Sequence, residues 1–119
     1  MRLHHLAFRT RDVAALEAFY VEVFALEVRR RDGARSVWLG LGDAVCMIER
    51  ADAHEPPPNA GSMELVALAV SDDAARDAVE ARVLARGGAI EGRTGYTIYF
   101  RDPEGRRLGV STYPLEPTR

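Results

Sequence analysis

The sequence predicts an α+β chain built from two tandem βαβββ modules, and three observations carry the prediction. Apolar residues pass from strand spacing to helical spacing and back in the same order twice. Three consecutive prolines, Pro56, Pro57 and Pro58, separate the two passes. Matching residues recur at a nearly constant separation along the chain, as a duplicated unit requires.

The first strand covers residues 3–10, short and apolar-rich, and Asp12 follows as a helix N-cap. Val13, Leu16, Phe19, Tyr20, Val23 and Phe24 recur every three or four residues, so a helix runs from Val13 to about Ala25. Strands are expected over 27–31, 36–41 and 44–50, separated by the turn sequences Asp32-Gly33 and Gly42-Asp43. Residues 51–62 form a linker, because its prolines sustain neither a helix nor a central strand. A strand over 64–70 opens the second module. Asp72 and Asp73 cap a helix with Ala75, Val79 and Val83 on one face, and Gly87-Gly88 stops it. Strands over 89–92, 96–101 and 106–113 complete the order. The chain thus reads as a single domain, 1–119, with module one at 3–50 and module two at 63–113.

Asp12, Ala14, Ala15, Glu17 and Ala18 fall on Asp72, Ala74, Ala75, Asp77 and Ala78 at an offset of 60. Val37, Trp38, Leu39 and Asp43 fall on Ile98, Tyr99, Phe100 and Glu104 at an offset of 61. One inserted loop residue reconciles the two. Two unrelated ferredoxin-like halves, or a tandem regulatory domain, would give the same element order without this agreement.

Composition removes several functions. A formal net charge of −2 supplies no positive field for nucleic acid, and 47% hydrophobic residues exclude a disordered or acidic-tail class. The longest apolar run, 65–70, is far short of the roughly 20 residues of a spanning helix, so no membrane partner is expected. One cysteine, Cys46, and no apolar leader before Leu3 suggest a cytoplasmic protein.

Alternation along the strands separates two faces. Leu6, Phe8, Val37, Leu39, Val45, Met47, Val66, Leu68, Ile98, Phe100, Leu108 and Val110 make an aliphatic and phenyl face suited to a core. His5, Ala7, Arg9, Trp38, Gly40, Cys46, Ile48, Arg50, Leu65, Ala67, Tyr99, Arg101, Arg107 and Gly109 make a mixed one. Small residues leave volume, aromatic rings give walls and scattered polar groups orient a guest, as in small-molecule cavities. The same mixture also suits a solvated sheet surface. Trp38 and Tyr99 at equivalent repeat positions favour a cavity.

The strand-helix-three-strand order, the opening HHLAFRTRDVAALEAFYVEVFALEV and the closing Tyr99-Phe100-Arg101-Asp102-Pro103-Glu104-Gly105 resemble the vicinal oxygen chelate superfamily of glyoxalase, bleomycin-resistance and extradiol-dioxygenase proteins. The resemblance covers about residues 3–113 and implies a curled mixed sheet around a cavity, in a homodimer that binds a small organic molecule. Many members hold one divalent metal through four positions, the first and last strands of each module giving one each. Carried onto this sequence, these fall on His5, Ile48, Leu65 and Gly109. One imidazole does not hold a divalent ion against water, so no cofactor is expected. A metal site of His5 with Glu49 is the alternative, and alternation opposes it because Glu49 then faces away. His4 is likewise expected to face away from His5, and His54 to be a solvated loop residue. The expected ligand-binding residues are therefore His5, Trp38, Ile48, Leu65, Tyr99, Arg101 and Gly109. His5, expected to lie buried beside Trp38 and Tyr99, is the candidate catalytic base. Cys46 is expected to be an apolar filler. Non-catalytic binding, a metal-dependent lyase, isomerase or dioxygenase, and a ligand-sensing module remain the competing functions.

Overall fold

The computed structural model describes residues 1–115. Residues 116–119, the end of the expected domain, lie outside the described residues. Elements follow in the order β1 (His5–Thr10), α1 (Val13–Phe24), β2 (Val28–Asp32), β3 (Ser36–Leu41), β4 (Ala44–Arg50), β5 (Leu65–Ala69), α2 (Asp73–Ala85), β6 (Gly92–Arg93), β7 (Thr97–Arg101) and β8 (Arg107–Ser111). The chain forms two compact units, Met1–Pro57 and a second beginning at Pro58, so the break falls inside the proline tract. Each is a βαβββ module with a four-stranded mixed sheet, ordered β1-β4-β3-β2 in the first and β5-β8-β7-β6 in the second.

Asp12 and Asp72 cap the helices as their sequence positions require, each carboxylate accepting from the backbone N–H three residues on, at 3.0 Å from Ala15 and 2.8 Å from Ala75. The end of α2 also follows from composition. Gly87 takes φ +83°, and the amides of Gly87 and Gly88 donate to the carbonyls of Leu84 and Val83, which closes a Schellman motif. The expected strand over 89–92 is instead the two-residue β6, displaced to Gly92–Arg93. Its first ladder pair is Gly92 opposite Tyr99, next to the Glu91 amide, which donates to the Tyr99 carbonyl at 2.7 Å.

In unit one, α1 covers one sheet face through Leu16, Phe19, Tyr20 and Val23. Tyr20 stacks on Phe8 of β1 at 5.2 Å between centroids and on Phe24 at 5.7 Å. Val37, Leu39 and Ile48 lie beneath it with no exposed surface. In unit two, Val79 and Val83 of α2 are buried along with Ile98, Phe100, Leu108 and Val110. Each such side chain contributes about 1.5–3 kcal/mol on burial.

The faces of β1, β3, β5, β7 and β8 agree with the alternation read from the sequence, and that of β4 does not. Leu6 and Phe8 stand opposite Cys46 and Ile48, so Cys46 (2% exposed) and Ile48 (0%) belong to the helix-covered core. Val45, Met47 and Glu49 face the other way. The cause is the turn at Gly42-Asp43. It pairs Leu41 directly with Ala44, and Gly42 takes φ +57°, as the first position of a tight two-residue turn requires. Between the equivalent pairs, Gly40 with Val45 and Arg101 with Arg107, the second module carries one residue more. The repeat offset is accordingly 60 at His5 and Leu65, 61 at Trp38 and Tyr99, and 62 between β4 and β8. The partner of Gly109 in the repeat is therefore Met47.

Candidate functional site

Each sheet has one face that its helix does not cover. On the first, register lines side chains up in three rows across the strands, about 4.8 Å apart from strand to strand. His5, Val45 and Gly40 form one row; Ala7, Met47, Trp38 and Arg30 the next; Arg9, Glu49, Ser36 and Asp32 the third. Small residues at Ala7 and Gly40 flank the large Met47 and Trp38, and the Arg30 guanidinium carbon lies 4.8 Å from the Trp38 ring centroid.

His5 is exposed rather than buried, and His4 does not face away from it. His4 precedes β1, so strand alternation does not bind it. Its Nδ1 lies 2.8 Å from His5 Nδ1. Only one of those nitrogens can carry the shared proton, and the bond leaves His5 Nε2 available to a guest.

Glu49 shares the face of His5, contrary to the sequence expectation. It stands four residues along the sheet from Val45, the partner of His5, a distance of about 13 Å at strand rise. Side chains stand roughly perpendicular to a sheet, and a bound ion sits about 2 Å from each donor, so one ion does not bridge the pair. Glu49 instead lies 3.6 Å from Arg9, its neighbour in the same row. Arg9 also makes a two-pronged contact to Glu55 at 2.9 and 3.1 Å. That bond, with the Asp52 amide, holds the Glu55 carboxyl below the usual range. A recess of about 290 Å³ beside this row is lined by Arg9, Asp32, Arg35, Ser36, Glu49 and Arg50. His54 is exposed in the turn before Glu55.

On the second sheet the rows are Leu65, Arg107 and Arg101; Ala67, Gly109, Tyr99 and Gly92; and Ala69, Ser111 and Thr97. The Arg107 guanidinium lies 4.6 Å over the Tyr99 ring, and its buried Nε has no hydrogen-bond partner among the described residues. Leu65 closes over Gly109: a Cβ placed there would meet Leu65 Cδ1 at 3.5 Å and Ala67 Cβ at 3.4 Å.

Arg101 is committed to the protein. It contacts Glu91 at 2.6 and 3.0 Å and donates to the carbonyls of Ser62 and Gly105 at 2.8 and 3.1 Å. The hydrogen bond from Arg101 holds the Glu91 carboxyl below its usual range. The closing sequence motif is likewise structural. Asp102, 4% exposed, accepts from the amides of Glu104 and Arg106 and from the Arg106 guanidinium. Gly105, at φ +90°, packs where a Cβ would strike Ala60 at 2.6 Å.

The four positions that the resemblance implies therefore fall on His5 and Met47 in the first unit and on Leu65 and Gly109 in the second, and they supply one imidazole, one thioether, one alkyl group and no side chain. This set does not fit a divalent ion. Among the described residues no three His, Cys, Asp or Glu side chains group to hold one. Sequence reading missed Met47, which the two-residue turn before β4 would have identified, and Arg30 over Trp38, which carried no sequence signal; Arg107 was read on the face of Tyr99, where the structure puts it.

Residues 2–110 match the family model described as Glyoxalase/Bleomycin resistance protein/Dioxygenase superfamily. The chain is similar to the structure of lactoylglutathione lyase from Agrobacterium tumefaciens at 26% identity, covering 92% of each chain with a TM-score of 0.69. It shares its fold with the fosfomycin resistance protein FosX from Mesorhizobium loti, at 23% identity over 97% of this chain and 93% of that one, TM-score 0.75. FosX from Listeria monocytogenes gives 18% identity over 97% and 93%, with a TM-score of 0.77. Among curated proteins no sequence matches significantly.

Proposed function

The chain belongs to the glyoxalase, bleomycin resistance protein and dioxygenase superfamily, and from that premise we propose that it binds a small organic molecule on the uncovered sheet faces without the family's four-ligand metal ion. One observation carries the reading: Met47, Leu65 and Gly109 stand at three of the four metal positions, and Leu65 packs over Gly109 where a fourth donor would project. Trp38, Met47 and Ala7 supply an apolar wall, and His5 Nε2 supplies a hydrogen-bonding group beside it. The same reading has the protein act in the cytoplasm as a homodimer, which light scattering on the purified chain tests.

The competing reading is a metal-dependent lyase, isomerase or dioxygenase resting on His5 and Glu49. It gains from their shared face and loses on their separation and on the Arg9 contact to Glu49. Titrating a library of small molecules against Trp38 emission, with and without a metal chelator, separates the two. Saturable quenching that the chelator leaves unchanged, with no turnover, supports metal-free binding. Binding or turnover that the chelator abolishes and an added ion restores overturns it.

A further inference from the structure

Consecutive residues of a regular strand point to opposite faces, yet Arg29 and Arg30 of β2 point to the same one. Pairing of β2 with β3 shifts register between Val28 and Arg30, a β-bulge, so that Val28 stands opposite Leu39 and Arg30 opposite Trp38 with Arg29 as the extra residue. Arg30 lies over Trp38. Arg29 fills the notch left by Gly40, where a Cβ would fall 2.5 Å from Arg29 Nε and 2.9 Å from its Cζ. The next residue, Arg31, regains the helix side and is held by Glu17 through two 2.6 Å contacts. Arg29 and Arg30 have no carboxylate partner among the described residues. The two sheet rows they adjoin hold His5, Val45, Gly40, Ala7, Met47 and Trp38, and no acidic residue.

We infer that this pair is the specificity element of the site: it selects an oxyanion, carboxylate or phosphate, carried on a planar aromatic body that lies along Trp38. Two guanidinium forks turned to one side match the oxygens of such a group. The aromatic ring and the space left by the small side chain of Ala7 accommodate a flat apolar body beside them. The inference rests on the small-molecule reading above and narrows it to one ligand class.

The test titrates 4-nitrobenzoate, 4-nitrophenyl phosphate and the uncharged 4-nitrobenzamide into the full chain, read by quenching of Trp38, its one tryptophan, and by calorimetry. At least one anion should bind about tenfold or more tightly than the amide, and Arg29→Gln or Arg30→Gln should each remove that preference. Gly40→Ala, whose added Cβ displaces Arg29 without changing charge, should weaken the anions and spare the amide. Arg31→Gln should leave the preference intact. The tighter of the two anions distinguishes a carboxylate from a phosphate guest. Equal binding of anions and amide, or equal loss in Arg31→Gln, overturns the anion assignment and leaves the small-molecule reading standing. No quenching by these probes or by any library member overturns both.

Discussion

Trp38 and Tyr99 occupy the same register position in two sheets, Trp38 opposite Met47 and Tyr99 opposite Gly109, and each carries an arginine over its ring. The arginines are not equivalent: Arg30 comes from β2 and Arg107 from β8. The two modules thus share an aromatic platform, while the cation above it is supplied from a different strand in each. Residues beside the two rings differ accordingly, a thioether next to Trp38 and bare backbone next to Tyr99.

Exchange of neighbouring residues on β4 tests which face is which. Ile48→Ala should cost about 2–5 kcal/mol in denaturant unfolding, because it empties a filled core position, and should leave binding at Trp38 unchanged in the folded protein. Met47→Ala should cost less than about 1.5 kcal/mol and alter the Trp38 emission and its quenching by ligands. The reverse pattern would return β4 to the parity read from the sequence.

The sequence carried most of the architecture because caps, turns and alternation are local. Asp12, Asp72, the glycine pair at 87 and 88 and all three long strands of module two fell where their residue types require. The error over the faces of β4 came from carrying an offset of 61 across a hairpin that is one residue longer between equivalent pairs in the second module, when the pairing of Leu41 with Ala44 was itself readable from Gly42-Asp43. The bulge at Arg29 was not readable, since it depends on how β2 meets β3 and leaves no composition mark. Neither was the commitment of Arg101 to Glu91, Ser62 and Gly105, which joins residues distant in sequence.

Asp102 should be the costliest polar residue to truncate. Asp102→Ala leaves the part-buried amides of Glu104 and Arg106 and the Arg106 guanidinium without this acceptor. A loss of about 1–3 kcal/mol, or more through the charged contact, is expected in equilibrium unfolding. Loss of under about 0.5 kcal/mol would show that the motif does not hold its hairpin in this way.

The Glu91 contact to Arg101 fixes a sign for pH dependence. Because the folded carboxyl titrates below its unfolded value, its stabilisation is fully present above the ordinary glutamate range and is lost as pH falls through the lowered folded value. Glu91→Gln should therefore melt below the wild type at neutral pH, with the gap closing as the solution is acidified past that value. A gap that stays constant or widens on acidification would contradict the linkage.

Metal content of the untagged protein tests the central claim most directly. The chain is incubated with nickel, zinc, cobalt, manganese or ferrous iron, freed of loose ions and measured by mass spectrometry. The donor set of His5, Met47, Leu65 and Gly109 predicts well under one ion per chain for every metal. One ion per chain that disappears in both His5→Ala and Glu49→Ala would contradict the account and make the protein a metalloenzyme candidate.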